Sequence, residues 1–311
     1  MEGPLSCIGR AMSRLRFWLA APALAFFALP SATAFAREQA AAAAPAVRPA
    51  LWKVSDEDTT IWLFGTIHVL PEQVNWYAGP VAKALDSAQQ LVTEIPIDEA
   101  EQSQGVVMKM SLREDGKALR AALPAKERAA YEAAMASLGI PAAAFDGNDT
   151  WFAALMLTLL PLKTAGYSTE SGIDAQVAAK ARTRHLANYA FETAEYQIGL
   201  FDNLPEQTQR TYLGEVIEAL PTVKADIDDM VAAWKTGDAE HLAQLLNEDE
   251  SDPQMRKVLI TDRNVAWAKW LKARLDKPGT VFVAVGAGHL AGPGSVQDQL
   301  AAAGVTSTRV Q

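Results

Sequence analysis

The strongest constraint on this chain is a pattern that occurs twice, far apart. Residues 60–68 read Thr-Ile-Trp-Leu-Phe-Gly-Thr-Ile-His, and residues 280–289 read Thr-Val-Phe-Val-Ala-Val-Gly-Ala-Gly-His. Both are apolar strand-like runs ending in G-x-x-H. Each is followed by a turn containing Pro and Gly, a helical stretch (81–88; 296–303) and another strand (91–95; 307–310). The glycines Gly65 and Gly286 are expected to let the backbone turn sharply off the strand. His68 and His289 then sit at the strand's carboxyl edge, where α/β sheets bind ligands. Only four histidines exist in the chain; the other two, His185 and His241, lie in charged helical surroundings and read as solvated surface residues.

Other short β-branched or aromatic runs, at 51–54 and 188–192, complete a set of six candidate strands. Strands separated by helices predict an α/β fold with a central sheet. The Ser55-Asp56-Glu57-Asp58 loop between the first two runs predicts an antiparallel hairpin, so the sheet is expected to be mixed. The duplicated units lie at the two ends of one domain, residues 51–311. Long helical insertions, about 98–180 and 194–278, lie between the strands. Residues 151–162 are almost all apolar but too few for a membrane span, so a buried core helix is expected, with Pro161 helping to end it.

The first fifty residues read differently. Arg10, Arg14 and Arg16 precede an apolar run from Phe17 to Pro30 and then Ala34-Phe35-Ala36, the order of a secretory signal peptide cleaved after Ala36. Residues 37–50, rich in Ala with Pro45 and Pro49, read as a flexible linker. A periplasmic or secreted protein is expected, with no membrane attachment after cleavage. Cleavage removes three Arg and one Glu from totals of 28 basic and 37 acidic residues; 25 and 36 remain, and the formal charge moves from −9 to −11. So acidic a chain is a poor match to nucleic acid. Cleavage also removes Cys7, the one cysteine, so any metal has to be held by His and carboxylate.

Two further strands end in an acid: Glu94 in Leu91-Val92-Thr93-Glu94-Ile95 and Glu192 in Tyr189-Ala190-Phe191-Glu192-Thr193. Burying either carboxylate alone costs several kcal/mol, so each needs a cation, a metal or a cluster of donors, unless it stands at the solvent edge. A candidate cation is Arg263, which falls with Asn264 beside the helical stripe Ile260, Trp267, Leu271 and Leu275. It either reaches the carboxylates or a substrate oxyanion, or snorkels to water. Asp174, in Gly172-Ile173-Asp174, reads as a helix cap that accepts amide hydrogens. There is no H-E-x-x-H, no P-loop and no G-x-S-x-G, and the glycines at 286–292 lack dinucleotide-loop spacing.

Taken together, Leu51-Trp52-Lys53-Val54, Leu63-Phe64-Gly65-Thr66-Ile67-His68-Val69-Leu70, Thr93-Glu94, Gly172-Ile173-Asp174, Phe191-Glu192-Thr193 with Gln197, Arg263-Asn264 and Val285-Gly286-Ala287-Gly288-His289-Leu290 resemble the TraB/GumN family over residues 51–311. The family is similar to the Tiki metalloproteases, and more distantly to erythromycin esterases and ChaN-like haem-binding lipoproteins. The resemblance implies an exported metal-dependent hydrolase, of peptidase type, acting on a peptide or protein. His68, His289 and Glu94 would hold Mn, Co or Zn; Glu94, Glu192 and Arg263 would be catalytic; and Gly65, Gly286, Asn264 and Gln197 would support them. Where no metal takes part, a histidine general-base hydrolase uses the same residues in changed roles. The alternative from another class is a non-catalytic periplasmic binding protein for haem, iron or a polysaccharide or assembly intermediate.

Overall fold

A computed structural model of the chain describes residues 47–98, 103–247 and 253–311. The expected signal peptide and residues 37–46 of the linker lie outside the described residues. Among the described residues the strands are β1 (Leu51–Ser55), β2 (Thr59–Thr66), β3 (Gln90–Thr93), β4 (Ala187–Ala190), β5 (Gly279–Gly286) and β6 (Ser307–Arg309). They form one mixed sheet in the order β4-β3-β5-β2-β1-β6. Strands β1 and β2 make the expected antiparallel hairpin, and β6 pairs antiparallel with β1. Strands β2, β5, β3 and β4 run parallel to one another.

The duplicated units interleave at the centre of the sheet. Strands β2 and β5, the two that carry G-x-x-H, are adjacent and in register, with Gly65 opposite Val285 and Thr66 opposite Gly286. The crossover from β2 to β3 passes over β5, and that from β5 to β6 passes over β2 and β1. Central position explains why these two strands read as continuous apolar runs, since a parallel strand buried on both faces has no solvent side to alternate toward. Successive residues still point to opposite faces. Phe64 and Phe282 join a large core on one face with Trp76, Trp151 and Trp234. Ile61, Leu63, Val281 and Val283 pack on the other face against Trp267, Leu271 and Val296.

Helices cover both faces, and the expected long helical stretches are broken into shorter ones, among them Ser103–Met110, Ala125–Ser137, Thr150–Thr164 and Ile173–Thr183 in the first. Helix Thr150–Thr164 is buried as expected, but Pro161 lies inside it rather than ending it. A proline there removes one hydrogen bond only a turn before the helix stops, which limits its effect. Among the described residues no helix is long and apolar enough to cross a membrane.

Candidate functional site

The carboxyl ends of β2, β3, β4 and β5 converge, and each delivers a polar side chain. Beyond the paired strands β3 and β4 two more backbone bonds tie the two segments together, Phe191 N donating to Thr93 O at 3.0 Å and Glu192 N to Glu94 O at 2.9 Å. That extension sets Glu94 beside Glu192. Thr193 then caps helix Ala194–Asp202 by accepting from Tyr196 N at 3.2 Å, and Gln197 follows within the helix's first turns. Gln197 Nε2 donates to Glu94 at 3.0 Å and to Glu192 at 2.8 Å, tying the two carboxylates together.

Arg263 occupies the middle of this group. It arrives on helix Asp262–Arg274, which continues from a π-helical turn, Lys257–Thr261. Its Nη2 donates to Glu94 at 2.6 Å and to Glu192 at 2.9 Å, and its Nε donates to Glu192 at 3.0 Å. Its Nη1 donates to the Leu259 carbonyl in the π turn and to His289 Nε2, both at 3.0 Å. All five guanidinium hydrogens are thus spent on protein acceptors. Of the alternatives left open for Arg263, contact with the carboxylates is the one observed, and its side chain is fully buried. Trp267, one turn on, donates to Glu192 at 2.8 Å and lies under the guanidinium, 4.7 Å away.

Burial alone would raise the pKa of Glu94, but the Arg263 guanidinium, together with the smaller effects of the nearby histidines and the Gly286 N–H, holds the carboxyl down to about 2. Its second oxygen accepts from Gly286 N at 2.7 Å. His289 is fully buried. Its Nδ1 meets Asn264 Oδ1 at 2.6 Å, and Asn264 Nδ2 donates to Gly294 O at 2.8 Å. The glycines act differently from expectation: neither Gly65 nor Gly286 has a positive φ. At Gly65 the requirement is close approach, because a Cβ would stand 3.0 Å from Ala287 on the neighbouring strand's exit.

His68 stands in a second, sparser group. Its Nδ1 is 2.8 Å from Asp174 Oδ2, and the other Asp174 oxygen accepts from Thr66 Oγ1 at 2.7 Å. Asp174 therefore is not the amide-binding cap expected of it; Gly172 takes the cap position, and the carboxylate turns to β2 instead. Gly172 permits this by contact rather than by dihedral, since a Cβ there would lie 2.1 Å from the His68 carbonyl oxygen. Ile173 N donates to Ile67 O at 2.8 Å, clamping the helix start to the motif. Burial lowers the His68 pKa, but Asp174, by charge and hydrogen bond, leaves it raised above 6.5. Its Nε2 is buried with no partner. His185 is exposed, and His241 pairs at the surface with Asp229 at 3.3 Å, as expected of both.

The cluster is nearly closed. His68 and Glu94 keep 8% and 5% of their exposure, and Asp174, whose side chain keeps 24%, marks the open side. A cavity of about 20 Å³ lies nearby, under Gly65 and Trp234, but no acid or histidine of the cluster lines it.

A metal held by His68, His289 and Glu94 would need free ligand atoms pointing at one place. The Nε2 of His289, one oxygen of Glu94 and both of Glu192 face hydrogens of Arg263 or Gln197, and a guanidinium stands where a cation shared by them would stand. Among the described residues no group of three or more His, Cys, Asp or Glu is arranged to hold an ion. As arranged here, the three residues do not fit a divalent metal.

A sequence profile described as the TraB/PrgY/gumN family matches residues 50–309. Uncharacterized protein YbaP of Escherichia coli (strain K12) is 29% identical over 177 residues, covering 52% of this chain and 60% of the relative. Uncharacterized protein YbaP of Shigella flexneri matches to the same extent. The aligned stretch thus spans less than two thirds of these relatives. No solved structure matches the chain.

Proposed function

The chain belongs to the TraB/PrgY/gumN family, and from that premise we propose that it is an exported hydrolase, acting on a peptide bond, in which His68 is the general base. The observation that carries this reading is the buried, unpartnered Nε2 of His68. In a site where almost every other polar atom is committed, it is the basic atom left to act on a substrate.

Neutral His68 takes a proton from a water molecule through Nε2 as the oxygen attacks the scissile carbonyl carbon. The imidazolium then returns that proton to the departing nitrogen, so the histidine ends as it began. Glu94, Glu192 and Arg263 do not exchange protons in this scheme. Their charges are mutually satisfied, and they hold the ends of β3 and β4 around the reacting group. Substrate approaches from the Asp174 side, where the group is most exposed. The arginines, the apolar run and Ala34-Phe35-Ala36 support export, with a mature chain beginning at Arg37.

The test is a peptide-library cleavage assay on the mature chain, with and without chelator and added Mn²⁺, beside His68→Ala. Cleavage that persists in chelator and is lost in the variant is expected. Cleavage that requires added metal overturns the general-base scheme. Absence of cleavage together with tight isolation with haem or iron overturns the enzyme reading altogether.

A further inference from the structure

The two G-x-x-H histidines come from matching strands, in register, yet their imidazoles are held by different chemistry. A carboxylate can only accept, so the 2.8 Å contact between His68 Nδ1 and Asp174 Oδ2 places the hydrogen on Nδ1 and leaves the lone pair on Nε2. Asp174 is itself fixed, because its other oxygen accepts from Thr66 Oγ1 at 2.7 Å and its helix start is clamped to Ile67. On His289 the same tautomer is set by an amide. Asn264 Nδ2 points at the Gly294 carbonyl, so Asn264 Oδ1 faces His289 and Nδ1 must donate. There the resemblance ends, for His289 Nε2 accepts from Arg263 at 3.0 Å. A second proton on it would set two N–H groups against each other.

We propose that Asp174, braced by Thr66, is a positioning residue that holds His68 with its proton on Nδ1 and a bare Nε2 turned to the substrate, while His289 is locked as a neutral acceptor for Arg263. The duplicated motif has divided its labour: one histidine exchanges protons and the other is part of the frame. This rests on the hydrolytic reading for its consequence in turnover, but the tautomers can be read without any reaction. Neither Asp174 nor Thr66 touches the atoms that react; both act through His68.

The experiment is long-range ¹H–¹⁵N correlation on the mature chain with ¹⁵N-labelled histidine, for the wild type, Asp174→Ala, Asp174→Asn and Thr66→Val, with cleavage kinetics alongside. In the wild type, at a pH above the raised His68 value, both His68 and His289 are expected as Nδ1–H tautomers. Asp174→Ala turns His68 to Nε2–H, leaves His289 unchanged, and lowers kcat at least about 100-fold with KM within about twofold. Asp174→Asn, whose one remaining oxygen is claimed by Thr66 Oγ1 and whose amide nitrogen then faces His68 Nδ1, is expected to shift the tautomer to Nε2–H as well, with a comparable loss of kcat. Thr66→Val falls between wild type and Asp174→Ala. A wild-type His68 found as Nε2–H, or a tautomer indifferent to Asp174→Ala in a folded protein, overturns the inference even where cleavage is observed. Expected tautomers in a protein that cleaves nothing overturn the hydrolase instead and leave the division between the histidines standing.

Discussion

The two sides of the buried polar group differ in how completely their atoms are used. Around Arg263 a guanidinium, two carboxylates, an amide, an indole and an imidazole exchange hydrogen bonds until Arg263 has no donor left. Around His68 there is one chain of two bonds, Thr66 to Asp174 to His68, ending in an unpartnered nitrogen. Networks whose charges are all paired give rigidity, because any missing member leaves a buried charge or donor exposed to nothing. An unsatisfied end tolerates change in stability and is where chemistry can occur. The prediction is that substitutions on the first side act on folding and those on the second on turnover.

The sharpest break of that contrast is Arg263→Met, which leaves Glu94 and Glu192 buried without their cation. A loss of about 3–5 kcal/mol is expected, seen as a fall of roughly 10 °C in Tm. Acid probes the same side without mutation. Glu94 is held far below its ordinary value of 4.5, so its contribution to stability is full above that pH and is lost as pH falls toward about 2. Urea midpoints that stay flat over that window would contradict the arrangement. Next is Gly172→Ala, whose methyl must displace the His68 carbonyl; a cost of roughly 1–3 kcal/mol is expected, together with loss of cleavage.

Asn264→Leu removes the partner of His289 Nδ1 and should cost about 1–3 kcal/mol by chemical denaturation. The smallest effect on stability belongs to His68→Gln, expected below about 1 kcal/mol, yet with cleavage abolished. Because Asp174 raises the His68 pKa in the folded protein, the stability it adds is present below pH 6.5 and fades as pH rises through the raised value. A His68→Gln variant lacks that fading, which a comparison of urea midpoints between neutral and alkaline pH would detect.

Much of this frame was legible in the chain itself. All six strands and the hairpin followed from apolar runs and their flanking residues, as did the position of His68, Glu94, Glu192 and His289 just beyond strand ends. Arg263 and Asn264 stood out as polar residues beside an apolar stripe, and both prove buried. What could not be read was spatial. Nothing in residues 60–68 says that the strand beside them is β5 rather than β3, because a crossover that skips a strand leaves no local mark. Asp174 was misread for a related reason: an acid in a helix's first turn is ordinarily a cap, and its partner lies 106 residues away. The one hint was Gly172 before it, whose need is a neighbour's carbonyl rather than its own dihedral. The metal expected from the family resemblance turned on whether Arg263 would be near the acids or among them.

The place of β5 in the sheet has a consequence for how the molecule comes into being. It lies between β3 and β2, both of which precede it by more than a hundred residues. A chain synthesised or threaded across a membrane from its amino end therefore holds an open slot, with β1–β2 and β3–β4 as separate halves, until residue 279 and those after it arrive. Long-range closure of this kind is slow and leaves unpaired edges exposed to other chains in the meantime. The same late strand brings Gly286, whose N–H meets Glu94, and His289, which meets Arg263. The polar centre is thus completed by the strand that closes the sheet, and a partly emerged chain lacks it.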